Sequence, residues 1–200
     1  MNDSYQTIDS ATEGIYKEKG SKFLAFAFPV STEKEIKIIL EKIKKEHHAA
    51  KHVCFAYVLG ADKTIHRSFD AGEPNNTAGK PILGQIQSFN LTNILVVVVR
   101  YFGGTLLGTS GLIQAYKAAA ADALSKAAII TKFQETQIEI IFDYDKIGEV
   151  MKIIKEHKLE IAQQTISEKY LYRINVRISE VELICKKLNL VANSNRIIKL

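Results

Sequence analysis

The sequence is poor in the residues that build covalent or metal-bound frameworks. It has two cysteines, Cys54 and Cys185, which lie far apart within apolar runs. No Cys-x-x-Cys pair and no Cys/His cluster is present, which excludes the usual spacings of a structural zinc site. We therefore expect two reduced core thiols and no bound metal.

Long hydrophobic runs are also missing. The longest, Ile94–Val99, is far too short to span a bilayer. The opening segment, residues 1–10, is polar and lacks the apolar core of a signal peptide. These absences predict a cytoplasmic protein with no membrane partner.

Familiar catalytic signatures are absent as well. There is no Walker A loop, no Gly-x-Gly-x-x-Gly fingerprint and no Gly-x-Ser-x-Gly elbow. We therefore expect no cofactor. The composition is that of a globular protein, with 46% hydrophobic and 24% charged residues. A net charge of +5 permits an anionic partner without proving one.

The periodicity of residues 1–128 predicts an α+β domain. The predicted strands are 4–9, 13–18, 23–30, 52–59, 64–69 and 91–101, and the predicted helices are 32–47, 78–89 and a long alanine-rich one after residue 108. Thr32 and Glu35 form a possible capping box for the first helix. Residues 129–136 are a plausible linker.

The second part, residues 137–200, changes in character. Strands are predicted at 137–142, 160–165, 170–178 and 196–200, with helices at 143–157 and 180–190. This βαββαβ order is typical of a ferredoxin-like sandwich.

The most informative stretch follows the central strand and contains Arg100, two aromatic residues and a glycine-rich turn. Its free backbone amides and the following helix start favour an anion, with Thr109 or Ser110 as the helix cap. An equally good interpretation is that the glycines only turn the chain and allow close packing. The residues assigned to a possible anion or RNA site are Arg100, Tyr101, Phe102, Gly103, Gly104, Gly108, Thr109, Ser110, Gly111, Thr77 and Lys80.

A second dense loop, residues 69–83, holds Asp70 and Glu73. Carboxylates at this spacing perform acid–base work or share a metal, but they equally cap turns and helix starts or form ion pairs. The turn around Glu73 predicts acids that face outward. Arg100 also has two alternatives. It either forms a structural ion pair with Asp70 or Glu73, or it contacts a phosphate at the helix start. His52, at a strand start, completes the catalytic candidates Glu73, His52 and Asp70.

A set of short segments occurs in order along the chain: Lys19–Phe23, Ala50–Ala56, Asp70–Pro74, Thr77–Pro81 and Arg100–Gly104, followed by Leu107-Gly108, Gly111-Leu112 and Ala115-Tyr116. Together these segments resemble the YigZ/IMPACT family, over roughly residues 15–125. The sequence departs from the family pattern where an Asp is expected at Ala71, a small residue at Asn76, a Gly at Ser110 and an Arg at Gln114.

The resemblance implies a fold and a setting. The N-terminal domain is expected to be like domain 2 of ribosomal protein S5, and the C-terminal domain like a ferredoxin-like domain of elongation factor G. Eukaryotic relatives of the N-terminal domain act in translational control. For a bacterial member, the implied partners are RNA, the ribosome or a translation factor, by fold analogy.

Two functions are compatible with the sequence. The first is a translation-associated regulatory protein that binds nucleic acid, which the basic balance and the arginine beside aromatic residues favour. The second is an enzyme acting on a phosphorylated or acidic small molecule, with Glu73 as acid or base and Arg100 as anion clamp. A deep cleft joining Glu73, His52 and Arg100 favours the enzyme, and a shallow basic face favours nucleic acid.

Overall fold

The computed structural model describes residues 3–192 and 194–198, and the chain divides into two compact units. The first unit covers Tyr5–Lys132. The second covers the described residues from Phe133 onward together with Asp3 and Ser4. Each unit is built around its own hydrophobic core.

The first unit contains a five-stranded antiparallel sheet and a short two-stranded one. The large sheet has the order β2-β3-β6-β4-β5, and the small one pairs β1 with β7. The strand bounds are β1 Ser4–Ile8, β2 Thr12–Glu18, β3 Ser21–Pro29, β4 His52–Leu59, β5 Ile65–Phe69, β6 Ile94–Tyr101 and β7 Ile129–Phe133.

Helices cover both faces of the large sheet. They are α1 Glu33–Glu46, α2 Gly79–Ser88 and α3 Gly108–Ser125. Val96 and Val98 of β6 pack with residues of α2 and α3, whereas Val97 and Val99 pack with residues of α1. Burial on both faces explains why β6 is an unbroken apolar run rather than an alternating one.

The second unit has the βαββαβ order that the sequence predicts. Its elements are β8 Glu135–Phe142, α4 Ile147–Glu156, β9 Glu160–Ile166, β10 Tyr170–Arg177, α5 Val181–Leu188 and β11 Ser194–Ile198, with a 3₁₀ turn before each helix. The sheet order is β11-β8-β10-β9, and all neighbours are antiparallel. The α+β class is confirmed. The last two residues of the predicted final strand lie outside the described residues.

Two local predictions have opposite outcomes. The Glu35 amide donates to Thr32 Oγ1 at 3.2 Å, so Thr32 caps α1 as predicted. Residues 129–136 contain the boundary between the two units, after Lys132, but they are not an irregular segment: β7 and the start of β8 occupy them, separated by Gln134. The β-branched residues Ile129, Ile130 and Thr131 suit a strand, and β1 pairs with this segment.

The described part of the chain lacks two features that would point to a membrane or a metal. None of its helices is long and apolar enough to cross a membrane. No group of three or more His, Cys, Asp or Glu side chains among these residues is placed to hold a metal ion.

Candidate functional site

The two polar loops meet at the end of β6. Arg100 is the penultimate residue of β6, and Glu73 lies in the loop between β5 and α2. Arg100 Nη1 donates to Glu73 Oε1 at 2.8 Å, and the two side chains are only 6% and 3% exposed. The prediction that the acids of this loop face outward is therefore wrong for Glu73, because the carboxylate compensates the arginine that β6 carries into the core.

Glu73 has a second buried partner. The Tyr116 hydroxyl of α3 donates to the same Oε1 at 2.7 Å. The Cys54 thiol lies 3.4 Å from the Tyr116 oxygen and 3.0 Å from the Asp70 carbonyl oxygen. Burial raises the pKa of Cys54 to about 12 and raises that of Tyr116 above its ordinary value. Cys54 is therefore a neutral thiol near pH 7 and a poor nucleophile.

Asp70, a catalytic candidate, caps the start of α2 instead. Its Oδ1 accepts from the amides of Ala78 and Gly79 at 3.0 and 2.8 Å, and its Oδ2 accepts from the Asn76 amide at 3.0 Å. Three amide donors around one carboxylate at a helix start are a capping arrangement. Capping, which was one of the alternatives for this acid, is the role that the geometry supports.

His52, at the first position of β4, is held in one orientation. Its Nδ1 lies 2.9 Å from the Ala71 carbonyl oxygen. Because a carbonyl oxygen only accepts, Nδ1 carries the hydrogen, and in the neutral ring Nε2 is left as an acceptor. Ala71 itself has φ 49°, a left-handed conformation that costs an alanine more than an aspartate. The Asp expected from the family pattern suits this backbone better.

A cavity of about 410 Å³ joins His52, Glu73 and Arg100, the residues whose placement bears on catalysis or nucleic-acid binding. Its lining residues are Lys51, His52, Gly72, Glu73, Pro74, Arg100, Phe102, Leu106, Leu107, Gly108, Thr109 and Leu112. Lys51 and Arg100 are basic, and the one acid of the lining, Glu73, is already paired. The lining therefore suits an anion.

The start of α3 forms one wall of this cavity. The helix begins at Gly108, and Leu107 precedes it without a side-chain cap. Thr109 and Ser110 lie inside the first turn, so the prediction that one of them caps the helix is wrong. The chain enters α3 through a left-handed glycine, Gly108 at φ 69°. Amides of a first helical turn have no partner within the helix.

Arg100 contains an unsatisfied donor. Its Nε is buried and has no hydrogen-bond partner among the described residues. The guanidinium carbon lies 5.5 Å from the ring centroids of both Phe23 and Phe102. The arginine is thus packed between two rings and anchored at Nη1 by Glu73.

Several residues assigned to the anion site lie elsewhere. Tyr101 packs on the α1 face of the sheet, where its hydroxyl lies 2.9 Å from His47 Nδ1. Neighbours on a strand face opposite sides, so Arg100 and Tyr101 cannot share one site. Thr77 is buried and its hydroxyl donates to the Pro74 carbonyl at 2.7 Å. Lys80 is exposed on α2 and does not line the cavity.

The glycines of this turn divide by role. A Cβ on Gly103 would lie 1.9 Å from the Gly20 carbonyl carbon, so Gly103 permits close packing against the β2–β3 turn. Gly104 has φ 88° and no heavy atom near its Cβ position, so it turns the chain. Gly111 of α3 faces Leu107, the residue before the helix. Of the glycines assigned to anion binding, only Gly108 lines the cavity.

Sequence reasoning missed Lys51 and the part that Tyr116 plays. Lys51 directly precedes β4 and is exposed like other solvated lysines, and its signal was its place in the segment Ala50–Ala56, which matches the family pattern. Tyr116 lies on the buried face of α3, among small residues that predict packing alone. Its hydroxyl was the available signal, because a buried tyrosine usually finds a polar partner.

The chain is similar to several known proteins. The family described as Impact N-terminal domain matches residues 19–124. IMPACT family member YvyE of Bacillus subtilis is 31% identical over 199 residues, which cover 100% of this chain and 92% of that protein. Protein IMPACT of Homo sapiens is 32% identical over 94 residues, 46% of this chain and 29% of that protein.

One solved structure supports the fold over the whole length. A crystal structure described only as that of a hypothetical protein is 27% identical and superimposes with a TM-score of 0.75, covering 100% of this chain and 98% of that one. The family match spans the residues that build the cavity, from Lys51 to Leu112. The resemblance seen in the sequence motifs is confirmed, and the chain belongs to the IMPACT family.

Proposed function

We propose that this chain is a regulatory protein associated with translation that binds a phosphate group of RNA in the cavity between His52, Arg100 and the start of α3. The observation that carries the proposal is the convergence of Lys51, His52, Arg100 and the uncapped α3 terminus on one cavity of about 410 Å³. Basic side chains and free helical amides together favour a bound anion.

The translation setting is supported by family membership. Eukaryotic proteins named IMPACT match 46% of this chain, and the family resemblance implies translational control for them. RNA, the ribosome or a translation factor would be the partner, in the cytoplasm.

Binding agrees with the chemistry of the cavity better than catalysis does. Glu73 is held by Arg100 and Tyr116, so it is a poor general base. Cys54 is buried and neutral, and it does not line the cavity. The remaining polar groups of the lining are hydrogen-bond donors and cations. They can hold an anion, but none of them is an evident nucleophile.

The test measures binding of a fluorescent single-stranded RNA by anisotropy at several salt concentrations. We expect Lys51→Ala and His52→Ala each to weaken binding several-fold, and Lys51→Ala to reduce the slope of log K against log salt by about 1. Lys34→Ala is the matched control, since Lys34 is an exposed lysine on α1, which packs on the other face of the sheet. Equal effects of Lys34→Ala and Lys51→Ala would contradict the proposal.

An enzyme acting on a phosphorylated small molecule is the second candidate, because one cavity does join Glu73, His52 and Arg100. The check is release of inorganic phosphate from p-nitrophenyl phosphate and from nucleoside monophosphates. Release that His52→Ala abolishes would favour the enzyme. If wild type releases phosphate no faster than the His52→Ala variant, the enzyme is excluded and RNA binding stands as the function.

A further inference from the structure

The rim of the cavity is unusually apolar for an anion site. Phe102 is 52% exposed and Leu106 is 82% exposed, and both line the cavity together with Leu107 and Leu112. Single exposed apolar residues need no explanation, but large ones grouped at the mouth of a charged cavity mark a surface that a ligand covers.

Phe102 is also supported from within the protein. The guanidinium of Arg100 lies 5.5 Å from its ring centroid, and that guanidinium is fixed by the 2.8 Å bond to Glu73 and by its burial. Arg100 makes a similar contact with Phe23. An exposed aromatic ring beside a fixed guanidinium is the arrangement on which nucleobases stack.

The buried donor of Arg100 is the second independent feature. Its Nε has no partner among residues 3–192 and 194–198, although the side chain is only 6% exposed and belongs to the cavity lining. Such a group is uncommon in a folded protein and is often explained by function. It lies beside a helix terminus that has no side-chain cap.

We propose that the cavity takes a single nucleotide, with the base on Phe102 and the phosphate between Lys51, His52 and the first-turn amides of α3. This inference rests on the proposed function and names its ligand class. Inorganic phosphate or a sugar phosphate would leave Phe102 and Leu106 uncovered, whereas a nucleotide covers both parts of the lining. A cavity of about 410 Å³ is within the range of small-ligand sites. A free nucleotide and the unpaired end of an RNA strand offer the same chemistry.

The absence of tryptophan from the chain gives a direct probe. Phe102→Trp places a single tryptophan at the proposed base position. We expect AMP and UMP to quench its fluorescence, and ribose 5-phosphate and inorganic phosphate to leave it unchanged. On the wild-type chain, calorimetry should show AMP binding at least about tenfold more tightly than ribose 5-phosphate. A 5′-phosphorylated tetranucleotide that binds more tightly than AMP identifies an RNA end as the natural source, and the reverse order identifies a free nucleotide.

Substitutions of Phe102 distinguish the loss of base stacking from a general loss of folding. Phe102→Leu should weaken AMP binding about 5- to 150-fold, the range that corresponds to loss of one base–aromatic stack, and should not change the weaker affinity for ribose 5-phosphate. Phe102→Tyr should restore nucleotide affinity. Phe69→Leu is the matched control, since Phe69 is a 43% exposed phenylalanine of β5 that is not part of the cavity.

The outcomes distinguish this inference from the function on which it rests. If RNA binding depends on Lys51 and His52 but AMP binds no better than ribose 5-phosphate, and Phe102→Leu changes nothing, the nucleotide subsite is overturned and the phosphate site stands. If neither RNA nor any phosphate compound binds, both proposals fall.

Discussion

Each unit of this protein holds one buried glutamate against arginine, and the two arrangements differ in the position of the arginine. In the N-terminal unit, Glu73 and Arg100 are 3% and 6% exposed. In the C-terminal unit, Glu139 of β8 is 5% exposed, but its partners Arg173 and Arg196 are 37% and 73% exposed. The carboxylates are similarly enclosed, whereas only the first arginine has been removed from water.

This difference distinguishes a candidate binding site, where the arginine is buried, from an ordinary protein surface, where the arginines stay hydrated. Arg173 and Arg196 keep much of their hydration, so their ion pairs with Glu139 cover that carboxylate at little cost. Arg100 has lost its hydration, depends on Glu73 for compensation, and still leaves Nε without a partner in the part of the chain that the structure describes. Burying a charge in this way is rarely the most stable choice, and positions that tolerate it are often functional.

The largest effect should come from breaking the N-terminal pair. Glu73→Gln leaves a buried guanidinium without a counter-charge, and we expect a loss of about 3–5 kcal/mol in the free energy of unfolding. Urea denaturation followed by circular dichroism gives this value. The double variant Glu73→Gln/Arg100→Met should recover part of the loss, because it removes the uncompensated charge. A loss below about 1 kcal/mol in the single variant would mean that the pair is not desolvated as described.

The glycine that follows this arginine should give the next largest effect. A Cβ at Gly103 would meet the Gly20 carbonyl carbon at 1.9 Å and the Ser21 nitrogen at 2.2 Å, both of them backbone atoms. We expect Gly103→Ala to destabilise the chain by about 2–3 kcal/mol, the cost of overpacking. Gly104→Ala is the control, since that position is open and only its φ of 88° is unfavourable. Its cost should be about 1–2 kcal/mol. Equal thermal unfolding midpoints for the two variants would contradict the packing role of Gly103.

Element type and order could be predicted from the sequence because they depend on local periodicity. The run of β6 and the βαββαβ pattern of the second unit are examples, and the structure contains both. The unit boundary lies inside the predicted linker at 129–136. The strand β7 in that range was not predicted, because it is stabilised by pairing with β1 at the other end of the unit and periodicity carries no information about a distant partner.

The candidate site was predictable only in part, for the same reason. His52, Glu73, Arg100, Phe102, Gly108 and Thr109 line the cavity, whereas Tyr101, Thr77 and Lys80 do not. Strand alternation alone would have separated Tyr101 from Arg100. The Glu73–Tyr116 bond joins residues 43 apart in sequence, so only the fold reveals it.

The stabilisation that Glu139 of the C-terminal unit provides should depend on pH. The hydrogen bond from Arg173, with Arg196 nearby, lowers the pKa of Glu139 below its ordinary value. Its contribution to stability is therefore present above about pH 4.3, the pKa of glutamate in an unfolded chain, and is lost as the pH falls through the lower folded value. Hydrogen exchange of the β8 amides at neutral and acid pH should show that wild type loses its advantage over Glu139→Gln as the pH falls. If the difference in amide protection between wild type and Glu139→Gln stays constant across that pH range, Glu139 does not contribute to the loss of stability in acid.

The smallest effect should be that of Arg196→Ala. Arg196 Nε donates to Glu139 Oε1 at 2.9 Å, and Arg196 Nη2 lies 2.8 Å from the same oxygen, so this contact uses one carboxylate oxygen rather than two. The Arg196 side chain is 73% exposed, and Arg173 remains on the other carboxylate oxygen at 3.0 Å. An exposed pair in water gains little over its hydrated partners, so we expect a loss of about 0.2–1 kcal/mol, and this loss should shrink further in 1 M NaCl because salt screens surface charges. The stability difference between wild type and variant at low and high salt measures both effects. A salt-independent loss as large as that of Glu73→Gln would show that Glu139 depends on Arg196 as Arg100 depends on Glu73, and the contrast between the two units would then disappear.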